Sequence, residues 1–210
     1  MLTVASRTKP RFYEKISRFL SLSGLERETI NSVYSHAYNP MITTRSYMLI
    51  EPISLIADFE WLRQGIVRPL SQTDEAYGVL LHDSGIVPTN TMVAIVNPET
   101  LSLCPTHVIG EIWVSSDSNV KGLYPASNAA QFEATIQGAD PRIKYMRTGD
   151  VGFLWNVQRQ AMGGSVEEGQ CLYILGHMGE MIMSKGLLHF AVDIEESVET
   201  CHPNIWSEGW

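Results

Sequence analysis

Short β-rich segments separated by turn signals are the feature that most constrains how this chain folds. Residues 91–96 (TMVAIV) are rich in apolar and β-branched side chains, and they end at a turn signal over residues 97–100 (NPET). Residues 110–114 (GEIWV) and 171–175 (CLYIL) have the same short apolar character. Because such strands must pair to bury an apolar face, the second half of the chain is predicted to be mainly β-sheet.

Helical periodicity is found near both ends of the chain. Residues 10–22 carry an apolar and a charged face, and Gly24 supplies a stop signal. Residues 25–34 favour a second short helix, and residues 190–202 favour a closing helix that ends before Pro203. Short helices, then many strands, then a strand–loop–helix predict an α+β fold with a small barrel or sandwich.

Composition excludes several classes of function. The chain has 210 residues, 44% of them hydrophobic and 18% charged, which is typical of a globular protein with a core. Its net charge of -8 argues against nucleic acid as the main partner. Its 3 cysteines lack a paired spacing and are expected to be reduced thiols. There is no apolar run long enough for a membrane span and no signal peptide, so we expect a cytoplasmic protein.

Four segments in order resemble the adenylate-forming ligases, the AMP-binding superfamily. Residues 110–114 (GEIWV) are similar to a Gly-Glu-Ile/Leu strand of that superfamily, and residues 147–153 (RTGDVGF) are similar to its Arg-Thr-Gly-Asp motif. Residues 172–182 (LYILGHMGEMI) lie where those ligases carry a Gly-Arg segment. Residues 185–195 (KGLLHFAVDIE) resemble a pattern of the fatty acyl-AMP ligase branch. A lone Thr-Gly-Asp tripeptide is weak evidence for the superfamily, whereas four motifs in the same order are specific evidence.

Three further segments narrow the resemblance. Residues 62–69 (LRQGIVRP) resemble part of an insertion that marks the fatty acyl-AMP ligase branch. Residues 38–42 (YNPMI) and 83–88 (DSGIVP) are similar to the disco-interacting protein family and its fungal relatives, large proteins linked to lipid metabolism. The resemblance covers most of this chain but only the middle-to-late part of a ligase. We therefore expect a fragment of a fatty acyl-AMP ligase-like protein.

The resemblance implies a division of the chain into parts. Residues 1–42 would end an α/β subdomain, 43–81 would be the insertion, 82–170 a distorted β-barrel subdomain, and 171–210 the start of a mobile C-terminal domain. A Gly- and Glu-containing stretch, residues 158–169, is the predicted linker before that last part.

The resemblance also implies a set of nucleotide-site residues. Asp150 holds the position that accepts hydrogen bonds from ribose hydroxyls, a natural task for a carboxylate. Tyr38 would stack on adenine, and His177 replaces an arginine that reaches the nucleotide. The predicted nucleotide-binding residues are Asp150, Thr148, Tyr38 and His177, and the predicted hinge residues are Gly179 and Glu180.

Other parts of a ligase site are missing from this sequence. There is no Ser/Thr/Gly-rich phosphate loop and no counterpart of the late lysine of the C-terminal domain. Met41 falls where ligases carry a glutamate that helps hold Mg²⁺, and a thioether is a poor ligand for that hard cation. We therefore predict no catalytic residue and no metal site in this chain. ATP or AMP and Mg²⁺ would be cofactors of the intact parent only.

Three points stay open: the roles of two residues, the activity of the parent protein, and the kind of domain. His189 and Asp193 match the branch pattern and form either a proton-transfer pair or a loop-ordering histidine and a first-turn aspartate. The parent is either an adenylating enzyme or a non-catalytic ligase-fold module that contacts neighbouring ligase-like domains. Its small-molecule partner would be an acyl group or a nucleotide. A third reading, a small β-rich ligand-binding domain, has only composition in its favour.

Overall fold

A computed structural model describes residues 2–4, 7, 9–44, 52–71, 77–123, 129–160, 166–202 and 204–205. At its start, strand β1 (Leu2–Val4) pairs in parallel with β2 (Ser32–Tyr34), and helix α1 (Pro10–Ser21) connects them. Proline in the first turn suits that helix start. The second helix predicted over residues 25–34 is wrong: the chain forms a 3₁₀ turn, Arg27–Thr29, and then β2, because parallel pairing with β1 overrides local propensity.

The predicted insertion contains an antiparallel pair, β3 (Ser54–Asp58) with β4 (Gly78–His82), and the short helix α2 (Phe59–Arg63). The Asp58 carboxylate begins α2 by accepting bonds from the backbone nitrogens of Glu60 and Trp61 at 3.0 and 3.3 Å. Residues 45–51 and 72–76, which belong to the same predicted insertion, lie outside the described residues.

The centre of the protein is a four-stranded antiparallel sheet in the order β5-β6-β7-β8. Its strands are β5 (Met92–Val96), β6 (Gly110–Ser115), β7 (Met146–Gln160) and β8 (Val166–His177), and the short helix α3 (Ala129–Phe132) precedes β7. The predicted barrel is not closed within the described ranges. Register shifts at two places in β6 and β7 bend the sheet, and Ile86 bridges β8 on its outer side.

Both faces of this sheet are buried. Along β8, Cys171, Tyr173 and Leu175 join one apolar cluster, while Leu172 and Ile174 join a second on the opposite face. The Tyr173 ring stacks on Phe153 of β7 at 4.9 Å between centroids. Burial on both sides explains why residues 171–175 form a continuous apolar run rather than an alternating one.

The predicted linker over residues 158–169 is wrong. Strand β7 extends to Gln160 and β8 begins at Val166, and these two residues pair with each other, so the stretch forms the arms of a long hairpin. The Gly163-Gly164 pair, which motivated the linker, lies outside the described residues. The predicted boundary between residues 170 and 171 falls inside β8. The division into parts stays a prediction.

The chain continues after β8 with a 3₁₀ turn, Met178–Glu180, a hairpin of β9 (Ile182–Ser184) and β10 (Leu187–His189), and helix α4 (Ala191–Cys201). Phe190, just before α4, is 1% exposed and anchors this region to the first apolar cluster. In the part of the chain that the structure describes, no helix has the length and apolarity needed to cross a membrane.

Candidate functional site

The candidate site is a tight turn within β7 that carries Thr148, Gly149 and Asp150. Gly149 has a φ of +77°, in the left-handed region that favours glycine. The Thr148 hydroxyl donates to the backbone oxygen of Ile112 at 2.7 Å and accepts from the Asp150 backbone nitrogen at 3.0 Å. These two bonds fix the turn to the neighbouring strand β6 and hold Asp150 in place.

The Asp150 carboxylate is the centre of this site. It is 6% exposed, its Oδ1 lies 2.9 Å from His177 Nδ1, and its Oδ2 accepts a hydrogen bond from the Tyr34 hydroxyl. Burial raises the pKa of Tyr34, and the neighbouring Asp150 charge raises that pKa further, so the phenol stays a donor. The fold thus gives each carboxylate oxygen a partner from a different part of the chain, β2 and the end of β8.

His177 lies directly over the turn. A Cβ atom added to Gly149 would be 2.7 Å from Cε1 of the imidazole, so a side chain there would displace the ring from this position. The His177 side chain is 48% exposed while Asp150 is 8% exposed. The imidazole therefore covers the carboxylate and presents its other edge to solvent.

His36 also faces this site, and the sequence did not predict it. Its Nδ1 accepts from the Tyr38 backbone nitrogen at 3.2 Å. Burial lowers the pKa of His36, and the Asp150 charge and the Thr148 backbone oppose that shift. The sequence offered no carboxylate close to His36, because its acidic neighbour comes from β7.

Tyr38 makes its ring contacts with two other aromatic side chains. Its ring lies 4.9 Å from His36 and 5.1 Å from Phe132 between centroids. Tyr34, four positions earlier, is the tyrosine that contacts Asp150. The structure thus brings together Asp150, Thr148 and His177, and it places Tyr38 at the edge of the group. The nucleotide roles of all four stay predictions.

A buried ion pair supports the turn from β6. The Glu111 carboxylate, 2% exposed, accepts from Arg147 Nη2 at 2.7 Å and Nε at 3.1 Å, and from the Gly149 backbone nitrogen at 3.3 Å. The Arg147 guanidinium lies over the Trp113 ring, 5.2 Å from its centroid. The Gly-Glu and Arg-Thr-Gly-Asp segments of the sequence therefore meet as one unit.

The remaining predicted residues lie around this unit. Gly179 and Glu180 form the exposed 3₁₀ turn directly after His177, and their hinge role stays a prediction. Met41 is 50% exposed, and within the described ranges no three His, Cys, Asp or Glu residues lie together as metal ligands. His189 lies 2.6 Å from an Arg63 nitrogen, whereas Asp193 pairs with Arg7, so the two have separate partners.

Known proteins are similar to this chain in sequence. A model of the disco-interacting protein 2-like AMP domain matches residues 179–210. The Homeostatic regulator of DAG from Saccharomyces cerevisiae is 35% identical over 215 residues, which cover 95% of this chain and 13% of that protein. Human Disco-interacting protein 2 homolog B is 28% identical, with 96% of this chain and 13% of that protein covered. The chain thus spans about an eighth of these relatives' length.

Solved structures give the fold. One from a study of fatty acyl-adenylate ligases from E. coli and L. pneumophila superposes with a TM-score of 0.71 at 17% identity, over 96% of this chain and 32% of that one. A fatty acyl-adenylate ligase from L. pneumophila, in complex with acyl adenylate and pyrophosphate, gives a TM-score of 0.63 at 24% identity, over 95% and 32%.

The chain is related to the disco-interacting protein 2-like family and has part of the fatty acyl-AMP ligase fold. This confirms the resemblance that the four ordered motifs carried, and it confirms a mixed α and β ligase fold. The chain covers only a part of each relative, so the activity of a longer protein does not follow from these similarities.

Proposed function

We propose that this chain supplies the ribose-facing part of an adenylate site in a longer fatty acyl-AMP ligase-like protein of lipid metabolism, and that it does not adenylate fatty acids alone. The observation that carries the proposal is the Asp150 carboxylate, held at a fixed turn by Thr148 and Tyr34 beneath a half-exposed His177. An ionised carboxylate accepts hydrogen bonds from two vicinal hydroxyls, as a ribose requires.

The relatives support the chemistry of this proposal. A solved ligase of the same fold holds acyl adenylate and pyrophosphate, and a yeast relative is named for diacylglycerol homeostasis. Adenylation needs cationic and backbone donors directed at the phosphates of ATP. The sequence has no glycine-rich phosphate loop for that task, so the longer protein would have to supply it.

A second candidate, a non-catalytic interaction module, is favoured by the partners of Asp150. Both carboxylate oxygens already accept hydrogen bonds, from Tyr34 and His177, so a ribose must compete with or share these donors. The side chain of Met41 is half-exposed and carries no oxygen that could hold Mg²⁺.

Isothermal titration of the 210-residue chain with AMP tests the proposal. We expect weak binding, with a Kd on the order of 1 mM, because only the ribose-facing part of the site is present. Asp150→Asn should weaken that binding at least about tenfold, since it removes the charged acceptor. Asp140→Asn, at an exposed carboxylate paired with Arg142, is the matched control and should leave binding unchanged.

Two outcomes would contradict this proposal. Tight AMP binding, or pyrophosphate release from ATP with a fatty acid, would show that the chain is competent alone. Equal AMP binding by the wild-type chain and Asp150→Asn would show that Asp150 does not take part in AMP binding. If a longer protein containing this segment forms acyl adenylate, the non-catalytic candidate is wrong.

A further inference from the structure

Helix α4 lies on the protein with little apolar contact. None of its side chains is buried, and its apolar residues Ile194 and Val198 are 42% and 52% exposed. An 11-residue helix is marginal in water on its own and is normally stabilised by packing an apolar face. Another interaction must therefore hold α4 in place.

A row of cations supplies that interaction. The segment that leads into α1 carries Arg7 and Lys9, and the first turn of α1 carries Arg11; we call these three residues the basic arm. Arg7 lies 2.5 Å from Asp193, and Arg11 lies 3.4 Å from Glu196. The Lys9 ammonium lies 3.5 Å from Glu195 and 3.7 Å from Glu199. The basic arm therefore contacts the acidic face of α4 over most of its length.

The pair between Arg7 and Asp193 differs from the others in burial. The Arg7 side chain is 3% exposed and Asp193 is 20% exposed, whereas the Arg11 side chain is 71% exposed. Exposed ion pairs contribute little to stability, but loss of one partner of a buried pair leaves an uncompensated charge. Asp193 also lies in the first turn of α4, where the helix dipole favours a negative charge.

We propose that the basic arm is an electrostatic latch that holds α4 against the first helix. Arg7 and Asp193 are the centre of the latch, and the Lys9 and Arg11 pairs guide α4 onto it. The α4 side of the latch follows the predicted hinge at Gly179 and Glu180 in the sequence. When it opens, α4 is released while the sheet that carries Asp150 stays folded.

Hydrogen–deuterium exchange of the 210-residue chain tests the latch. Raising NaCl to about 1 M shortens the screening length to about 3 Å and weakens the exposed Lys9 and Arg11 pairs, so exchange in residues 191–201 should rise while β7 and β8 stay protected. Arg7→Glu and Asp193→Arg should each raise α4 exchange about tenfold at low salt, because each places like charges together.

The charge swap makes the test specific. The double variant Arg7→Glu with Asp193→Arg should restore part of the protection of α4, since it re-forms the pair with opposite polarity but places a cation in the first turn of the helix. Arg142→Glu, in the exposed pair with Asp140, is the control and should leave α4 unchanged. The latch is wrong if salt leaves α4 exchange unchanged in the wild-type chain, or if the folded double variant exchanges as fast as the single variants.

Discussion

The turn that carries Asp150 and the helix α4 are both polar regions, yet they are held by opposite physical means. At the turn, Glu111, Thr148 and Asp150 are buried between strands and bonded at 2.7 to 3.3 Å. In α4 none of the residues is buried, and apart from Asp193, which pairs with the buried Arg7, its carboxylates meet cations near the surface. Burial strengthens hydrogen bonds and excludes salt, whereas exposed charges are screened.

Because of this difference, the two regions should respond differently to mutation and to salt. Around the turn, the sheet should tolerate little added volume or loss of a partner, because its buried polar groups have no water to replace a missing bond. The latch should respond to salt and charge but tolerate changes of shape. A site that must position a ligand belongs in the first environment, and an element that moves belongs in the second.

Gly152 gives the largest effect that separates the two regions. A Cβ at this residue would lie 2.2 Å from the backbone oxygen of Tyr173 on the paired strand, which cannot move away. Gly152→Ala should therefore reduce the free energy of unfolding by about 2–4 kcal/mol in urea denaturation. A change below about 1 kcal/mol would show that the sheet is as adaptable as α4.

Gly169 in β8 is the matched control for that substitution. Its added Cβ would meet nothing closer than Ile86 at 3.8 Å, an ordinary contact. Gly169→Ala should stay within about 0.5 kcal/mol of the wild-type free energy of unfolding. The contrast between two glycines of one sheet isolates the close approach from the general effect of a methyl group.

Glu111 gives the next largest effect. Glu111→Ala leaves the Arg147 guanidinium and the Gly149 nitrogen without an acceptor, and it should cost about 2–3 kcal/mol in urea denaturation. Glu111→Gln keeps one acceptor and should cost less. Asp140→Asn breaks an ion pair in which Arg142 is 88% exposed and should cause no measurable loss. If the Glu111 and Asp140 variants lose the same free energy of unfolding, burial of the Glu111 carboxylate makes no difference to the strength of its ion pair.

Two helices and a strand are predicted correctly from signals that lie within one run of residues. The helix predicted over residues 10–22 is Pro10–Ser21, and the closing helix predicted over 190–202 is Ala191–Cys201. The strand over residues 110–114 is Gly110–Ser115. In each case one run of residues carries its own periodicity and stop signal.

Non-local pairing explains what the sequence did not predict. Strand β2 depends on β1 across a helix, and residues 158–160 and 166–168 of the predicted linker instead pair with each other as parts of β7 and β8. Tyr34 contacts Asp150 across 116 positions of sequence, so no local signal could assign it. The predicted site residues Asp150, Thr148 and His177 meet because the start of β7 pairs with the end of β8, whereas the ring of Tyr38 contacts His36 and Phe132.

His36 gives the smallest effect and extends the comparison to pH. Burial holds the pKa of His36 below its ordinary value of about 6.5, so the unfolded chain binds a proton more readily than the folded chain does. Stability from this group is therefore present above pH 6.5 and is lost as pH falls through the lowered pKa. Since His36 is only half-buried, the loss between pH 7.5 and 5.5 should be on the order of 0.5 kcal/mol.

Urea denaturation at the two pH values measures this loss. His36→Gln should make the free energy of unfolding fall less steeply from pH 7.5 to 5.5, because the buried titrating group is gone. His202→Gln, at an exposed histidine just after α4, should keep the wild-type slope. The carboxylates of Glu14 and Asp140, whose pKa values are lowered by arginines, lose their contribution only at more acidic pH. If His202→Gln flattens the slope and His36→Gln does not, the pH response belongs to the exposed end of α4, and the buried site is insensitive to protons in this range.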